Sequence, residues 1–337
     1  MSNTVVALDC MGGDYAPLEP VKGAIDAIKE NENIFVKLYG RKEEIEAVLS
    51  ECADIDKISS SYEIVDCSEV IETGEPPVNA IRQKEDSSLV KCFKAVKNNE
   101  AHAMVSAGST GANLVGGQVI IGRIKGVQRP PLAPLLPTEN GVILLLDCGA
   151  NVDPKAKHLV QFAKMGSVYM ENVVGIKNPK VGLVNIGTEE EKGNALSKEA
   201  YQLLSQTEGI NFVGNIEARE IPEGTVDVAV CDAFTGNMIL KTYEGVGAVL
   251  LKKIKGALFT NLKTKIGALL IKKSLKNTMK AFNIEQYGGA PLLGLNGLLV
   301  KTHGNSKSVE VKNSIIQCHN FIEKDVNNKF KEKLSLK

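Results

Sequence analysis

The 337-residue chain contains no tryptophan, and aromatic residues make up only 5% of it. It also lacks any charge excess, with 40 Lys plus Arg against 40 Asp plus Glu. A nucleic-acid binder normally carries a basic stripe interleaved with stacking aromatics, and neither is present. No uncharged apolar run reaches the length of a bilayer span. The opening "MSNTVVALDCMGGD" has neither the basic segment nor the cleavable apolar stretch of a signal peptide. A soluble or peripheral protein is expected. Cys10, Cys52, Cys67, Cys92, Cys148, Cys231 and Cys318 form no CxxC pair, which is the usage of reduced cytosolic thiols that mostly pack. His102, His158, His303 and His319 show no zinc-ligand spacing, so no metal is expected. The phosphate-binding motif GxxxxGK[ST] is missing too. "GVGAVL" (Gly245–Leu250) imitates the start of a dinucleotide fingerprint, but Leu250 replaces the last small residue. The segment also follows a helical pattern rather than a strand, so no nucleotide cofactor is expected.

What the chain does have is 43% apolar content, enough for one large α/β domain over 1–337 or for two lobes. Eight short β-branched runs recur: "TVVALD", "IFVKLYG", "YEIVD", "AMVSA", "GVILLLD", "KVGLVNI", "DVAVCD" and "LLVKTHG". Amphipathic helical patterns lie between most of them, at Pro17–Glu30, Lys42–Cys52, Ser87–Asn98, Pro154–Glu171 and Asn194–Thr207. Near-continuous apolar strands alternating with helices predict a mostly parallel, doubly wound sheet covered on both faces. Six of these strands end in glycine with small polar or acidic residues. Their ends hold Asp9, Gly12, Gly13 and Asp14; Gly108 to Gly111; Asp147, Asn151 and Asp153; Gly187 to Glu189; Asp232 and Asn237; and His303 to Ser306. Ligands of parallel sheets bind outside the strand C-termini, which predicts one shared site there.

Within that set, "SAGSTG" (Ser106–Gly111) reads as a strand-to-helix turn made of residues too small to block close approach. Free backbone N–H groups, a helix N-terminus and the hydroxyls of Ser106, Ser109 and Thr110 suit a phosphate or a developing oxyanion. Arg82 and Lys84 diverge on a helix but share a face if extended, where Arg82 would clamp phosphate. Asp86-Ser87-Ser88 reads as an N-cap. "NIGTEEEKGN" places Asn185 and Lys192 near a further strand end.

Val246–Ile284 holds nine lysines (Lys252, Lys253, Lys255, Lys263, Lys265, Lys272, Lys273, Lys276, Lys280) and no acid. Apolar stripes at Leu250, Ile254, Leu258 and at Leu262, Ile266, Leu270 predict two short helices broken near Thr260-Asn261. Such a protruding basic hairpin suits an anionic membrane surface, a second copy of the chain or an acidic protein partner.

The segments "ALDCMGGDYAP", "RQKEDSS", "SAGSTGA", "LDCGANVD", "NIGTEEEKGN", "CDAFTGN", "YGGAPLLG" and "KTHGNS" together resemble the bacterial phosphate acyltransferase family, acyl-(acyl carrier protein):phosphate acyltransferases of phospholipid synthesis. They run in family order from Ala7 to Ser306. Cys10 and Cys148 stand where small apolar residues are common, and Tyr15 where histidine is common, which argues against an acid–base role at that position. The resemblance implies a fold like phosphotransacetylases and isocitrate dehydrogenases. It implies attack of inorganic phosphate on the thioester of a long-chain acyl carrier protein, with no cofactor. It further implies a cytoplasmic homodimer, peripherally membrane-associated, that hands acyl phosphate to a membrane glycerol-phosphate acyltransferase.

Phosphate is already a competent nucleophile, so positioning and oxyanion stabilisation are the chemistry to look for. Phosphate is expected on Ser106, Gly108, Ser109, Thr110 and Gly111, with Arg82, Lys84 or Lys192 neutralising charge. Asn185, Asn151 and Asn237 are candidate donors, and His303 or His158 would protonate the departing sulfur. Asp9, Asp14, Asp147, Asp153 and Asp232 would repel phosphate directly and are expected one layer behind it. Three alternatives have different signatures: a nicotinamide-dependent dehydrogenase on a related fold, a phosphotransacetylase acting on acyl-CoA, and a non-catalytic membrane scaffold.

Overall fold

All eight β-branched runs form strands in the computed structural model, which describes residues 3–281 and 284–334, the side chains of 276–281 excepted. The strands are β1 (Thr4–Asp9), β2 (Ile34–Gly40), β3 (Tyr62–Asp66), β4 (Ala103–Ser106), β5 (Leu135–Thr138), β6 (Gly141–Leu146), β7 (Lys180–Asn185), β8 (Asn211–Glu217), β9 (Val228–Val230), β10 (Ala290–Leu292) and β11 (Leu298–Lys301). The helices are α1 (Leu18–Glu30), α2 (Lys42–Ser50), α3 (Pro77–Gln83), α4 (Ser88–Lys97), α5 (Thr110–Gly116), α6 (Ala156–Tyr169), α7 (Ala195–Ser205), α8 (Ala233–Leu258), α9 (Leu262–Ala281), α10 (Ser308–Glu323) and α11 (Val326–Leu334). Ser87 caps α4 and Asn194 caps α7, each side chain accepting a backbone N–H three residues on.

The strands divide into two sheets instead of the single sheet expected. One has the order β10-β11-β4-β1-β2-β3 and the other β5-β6-β9-β7-β8. Both are parallel except for an antiparallel edge pair, β10 with β11 and β5 with β6. Segment 131–133 ties the two together, since Ala133 N–H donates to Pro291 and Leu293 N–H donates to Pro131, both at 3.0 Å. One apolar cluster runs through both, from Leu8 of β1 to Leu146 of β6 and Phe321 of α10. In the first sheet the chain moves outward from β1 through β2 to β3, then returns to β4 on the opposite side of β1. The strand order therefore reverses between β1 and β4, the point at which parallel sheets commonly bind ligands, outside the paired ends Asp9 and Ser106.

The basic segment is not two short helices. Its first arm is the end of α8, a continuous 26-residue helix that starts at the β9 end, capped by the Asp232 carboxylate. Gly245 and Gly247 lie inside it, so "GVGAVL" is helix. The break falls after Leu258, and Asn261 caps α9 by accepting Thr264 N–H at 3.0 Å. Among the described residues no helix is long and apolar enough to cross a membrane.

Candidate active site

The β1 and β4 loops meet so closely that their glycines are explained by each other. A Cβ on Gly12 would stand 2.5 Å from Asp9 Oδ2 and 2.6 Å from Gly108 N, and one on Gly13 would stand 2.8 Å from Ala107 Cβ and from Gly304 O. Gly111 lies against Pro77 in the same way. Behind this contact the Asp9 carboxylate accepts the hydroxyls of Ser88 (2.6 Å) and Ser106 (2.7 Å). Burial pushes the Asp9 carboxyl up, and those hydroxyls and the Met11 N–H oppose the shift.

Ser106 is fully buried, and its hydroxyl also accepts the Gly108 N–H at 3.0 Å. Ser106 and Gly108 are thus spent on holding the loop, a correction to their expected place on phosphate. Ser109 caps α5 through Ala112 N–H, and Thr110 is exposed. The backbone N–H groups of Ser109, Thr110 and Gly111 have no protein acceptor among the described residues. These three donors are what the turn offers an anion.

Beneath the turn lies a cation that the motifs did not single out. Lys301 ends β11 in register with Ser106 and is 9% exposed. Its amine donates to the carbonyls of Ala107 (3.3 Å) and Thr302, and it has no ion-pair partner among the described residues. Burial pushes it down to about 8, against the pull of Glu310 and Asp9. The following loop is fixed by Glu310 of α10, whose carboxylate accepts His303 N–H and the Ser306 hydroxyl. Gly304 O accepts Asp14 N–H at 2.7 Å, which ties this loop to the β1 loop. His303 Nε2 approaches Glu244 Oε1 of α8 to 3.1 Å, joining a strand end of the first sheet to the helix that leaves β9.

A cavity of about 1080 Å³ opens between α8 and α9 and reaches His303, Asn305 and Glu310. Its wall is mostly apolar, with Leu251, Ile254, Leu258, Phe259, Leu269 and Leu275, while Lys255, Lys265 and Lys272 also line it. The expected α9 stripe faces outward: Leu262, Ile266 and Leu270 are exposed, Leu270 at 80%. The lining instead uses Lys265, Ala268, Leu269 and Lys272, because lysine stems cover apolar surface while their amines reach water. Lys252, Lys253 and Lys263 are exposed, and Lys276 and Lys280 fall outside the described side chains.

Other expected site residues are placed elsewhere. Arg82 is exposed on α3, whereas the Lys84 amine binds Glu75 (2.6 Å) and Val70 O (2.7 Å), so the two do not converge. Asp147 is fully buried and accepts the N–H groups of Leu132, Ala150 and Asn151. Asn151 Nδ2 is occupied by Asp147 and Pro130 O, which removes it as an oxyanion donor. Asp232 is engaged with Thr235, while Asp14, Asp153 and Asn237 are exposed. Asn185 bonds Lys192 O within its own loop, and no hydrogen bond or ion pair among the described residues links that loop to the Ser106 or His303 loops. His158 has both ring nitrogens occupied, by Lys155 N–H and the Gln128 side chain, so it is structural. Burial holds the Cys10 and Cys148 thiols well above their ordinary range, as suits packing residues.

The sequence profile of a family described as "Fatty acid synthesis protein" matches residues 4–329. The phosphate acyltransferase of Clostridium tetani is 47% identical over 330 residues, covering 98% of this chain and 97% of the relative. That of Clostridium botulinum (strain Loch Maree) is 48% identical, covering 96% and 95%. Among solved structures, a phosphotransacetylase from Streptococcus pyogenes superposes with a TM-score of 0.60 at 18% identity, covering 95% and 94% of the two chains. A branched-chain phosphotransacylase from Enterococcus faecalis gives 0.55 at 15% identity, covering 95% and 99%. The structural likeness is one of fold, and the sequence likeness spans nearly the whole chain. The chain belongs to the phosphate acyltransferase family of fatty acid synthesis.

Proposed function

We propose that the enzyme transfers a long-chain fatty acyl group from acyl carrier protein to inorganic phosphate, releasing acyl phosphate and the free carrier thiol. The observation that carries this is the apolar cavity between α8 and α9, which reaches the His303 loop at the end of β11. Its volume of about 1080 Å³ slightly exceeds the ~300–1000 Å³ usual for small-molecule sites, room for an extended acyl chain. Phosphate takes the free N–H groups of Ser109, Thr110 and Gly111 and the Thr110 hydroxyl. Lys301 supplies a positive charge beneath it, and Arg82 supplies a second from the surface. An unpaired buried cation is costly, and an anion above it offsets that cost.

The exposed lysines of α8 and α9 suit an acidic carrier protein and an anionic membrane surface. Leu262, Ile266 and Leu270 supply apolar contacts to that surface. Peripheral association would let acyl phosphate pass to a membrane glycerol-phosphate acyltransferase, and a homodimer completes the proposal. The test is thiol release from a long-chain acyl carrier protein as phosphate is titrated. Thr110→Val, which removes the phosphate-facing hydroxyl, and Arg82→Ala should each raise KM for phosphate several-fold. Release that ignores phosphate, or that occurs only from acyl-CoA, overturns the assignment.

A further inference from the structure

We propose that Glu244, carried by the helix that becomes the basic hairpin, positions His303 as the proton shuttle of the acyl transfer. This rests on the phosphate acyl-transfer reading above. Glu244 and His303 come from different sheets' connections and meet at the inner end of the apolar cavity, which both line. Glu244 is the twelfth residue of α8, about 16 Å from the helix start. Lys241, one turn back, donates to its Oε2 at 2.8 Å, which leaves Oε1 buried and without an aligned donor of its own. That oxygen is the one facing His303 Nε2.

Burial alone would raise the Glu244 carboxyl, but contacts with His303 and Lys241 together hold it below its ordinary range. It is therefore ionised and can only accept. A carboxylate oxygen 3.1 Å from Nε2 repels a ring lone pair and attracts an N–H there, which favours the neutral tautomer protonated on Nε2 and leaves the Nδ1 lone pair free. Nδ1 has no hydrogen bond among the described residues, and His303 N–H is pinned by Glu310. The charged groups that interact with His303 are Glu244 from α8 and Glu310 from α10, and Lys241 is paired with the far oxygen of Glu244.

The step balances without a co-reactant. A phosphate oxygen of HPO₄²⁻ bonds to the thioester carbon and the carbon–sulfur bond breaks. The proton of the phosphate hydroxyl passes to His303 Nδ1 and from there to the leaving sulfur. The products are acyl phosphate dianion and neutral thiol, with the same atoms and charge as the reactants. Glu244 touches neither reactant; it fixes the ring's tautomer and stabilises the transient imidazolium.

Leaving-group dependence tests this role. Phosphate-dependent thiol release is compared for long-chain acyl thioesters of an alkyl thiol (N-acetylcysteamine) and of the far more acidic 4-nitrothiophenol. Glu244→Gln and His303→Gln are expected to lose about 10²-fold in kcat with the alkyl donor. They should lose less than threefold with the aryl donor, with KM for phosphate unchanged. Glu244→Asp should recover most of the alkyl rate. Equal losses on both donors, or an alkyl rate for Glu244→Gln equal to wild type, overturn the proposal. Wild-type imidazole ¹⁵N spectra give a check independent of any variant: neutral His303 should carry its proton on Nε2, and a ring protonated chiefly on Nδ1 also overturns it. A wild-type enzyme that releases no thiol on phosphate addition sinks the acyl-transfer reading itself, a result distinct from these.

Discussion

The residue that most directly links burial to chemistry is Lys301, a lysine closing an otherwise apolar strand. Its amine is pushed down to about 8, so it loses its proton near the top of the physiological range. Phosphate affinity should therefore weaken as pH rises through about 8. Lys301→Met should raise KM for phosphate by roughly tenfold and flatten that dependence, as measured by steady-state kinetics from pH 6.5 to 9.5. Stability moves the opposite way. The folded amine is depressed below its ordinary 10.5, so between about pH 8 and 10.5 the unfolded chain binds more protons. Wild-type stability should rise across that window as the buried charge is relieved, and the rise should vanish in Lys301→Met when followed by denaturant unfolding. Asp9 is the structural counterpart. Asp9→Ala leaves the buried Ser88 and Ser106 hydroxyls unmet and should cost about 2–4 kcal/mol in the same assay. Lys301 was visible in "LLVKTHG" as a charge inside an apolar run, but only strand pairing places it beside Ser106. The "SAGSTG" turn was legible as a close approach, yet half of what approaches is the neighbouring loop. Side-chain direction decides that Ser106 points inward to Asp9 and so cannot reach a ligand.

At the scale of elements, α8 does two jobs: it closes the β9 end and forms one wall of the cavity. Its first turn is seated by Gly236, where a Cβ would come within 1.9 Å of the Asp147 carbonyl. Gly236→Ala should destabilise the fold by about 1–3 kcal/mol through overpacking, and thermal unfolding checks it. At the far end, Asn261→Ala removes the cap of α9 and should cost that helix about 1 kcal/mol. Faster amide exchange confined to the α9 residues would report it. The hairpin's break could be read from Thr260-Asn261 because capping is local chemistry. Its beginning could not, since helical spacing continues unbroken from Ala233 through Gly245 and Gly247. The Glu244–His303 contact spans residues far apart in the chain and leaves no spacing signal. The division into two sheets was hidden for a similar reason. The short edge strands β5 and β10 carry Pro137 and Pro291 and owe their place to long-range pairing.

For the whole molecule, zero net charge conceals a separation: nine lysines and no acid lie in 246–284, so the remainder is correspondingly acidic. Reversing Lys255, Lys265 and Lys272 to glutamate should weaken binding of an acidic carrier protein by at least tenfold at low salt. The difference should shrink as ionic strength rises, in a titration followed by fluorescence anisotropy. The central claim is that phosphate itself is the acyl acceptor, held beside an acyl chain lodged between α8 and α9. The most direct measurement is ³¹P NMR of enzyme, long-chain acyl carrier protein and inorganic phosphate. A new acyl phosphate resonance growing in step with free thiol is the predicted result. Thiol release with the inorganic phosphate signal unchanged would contradict the account.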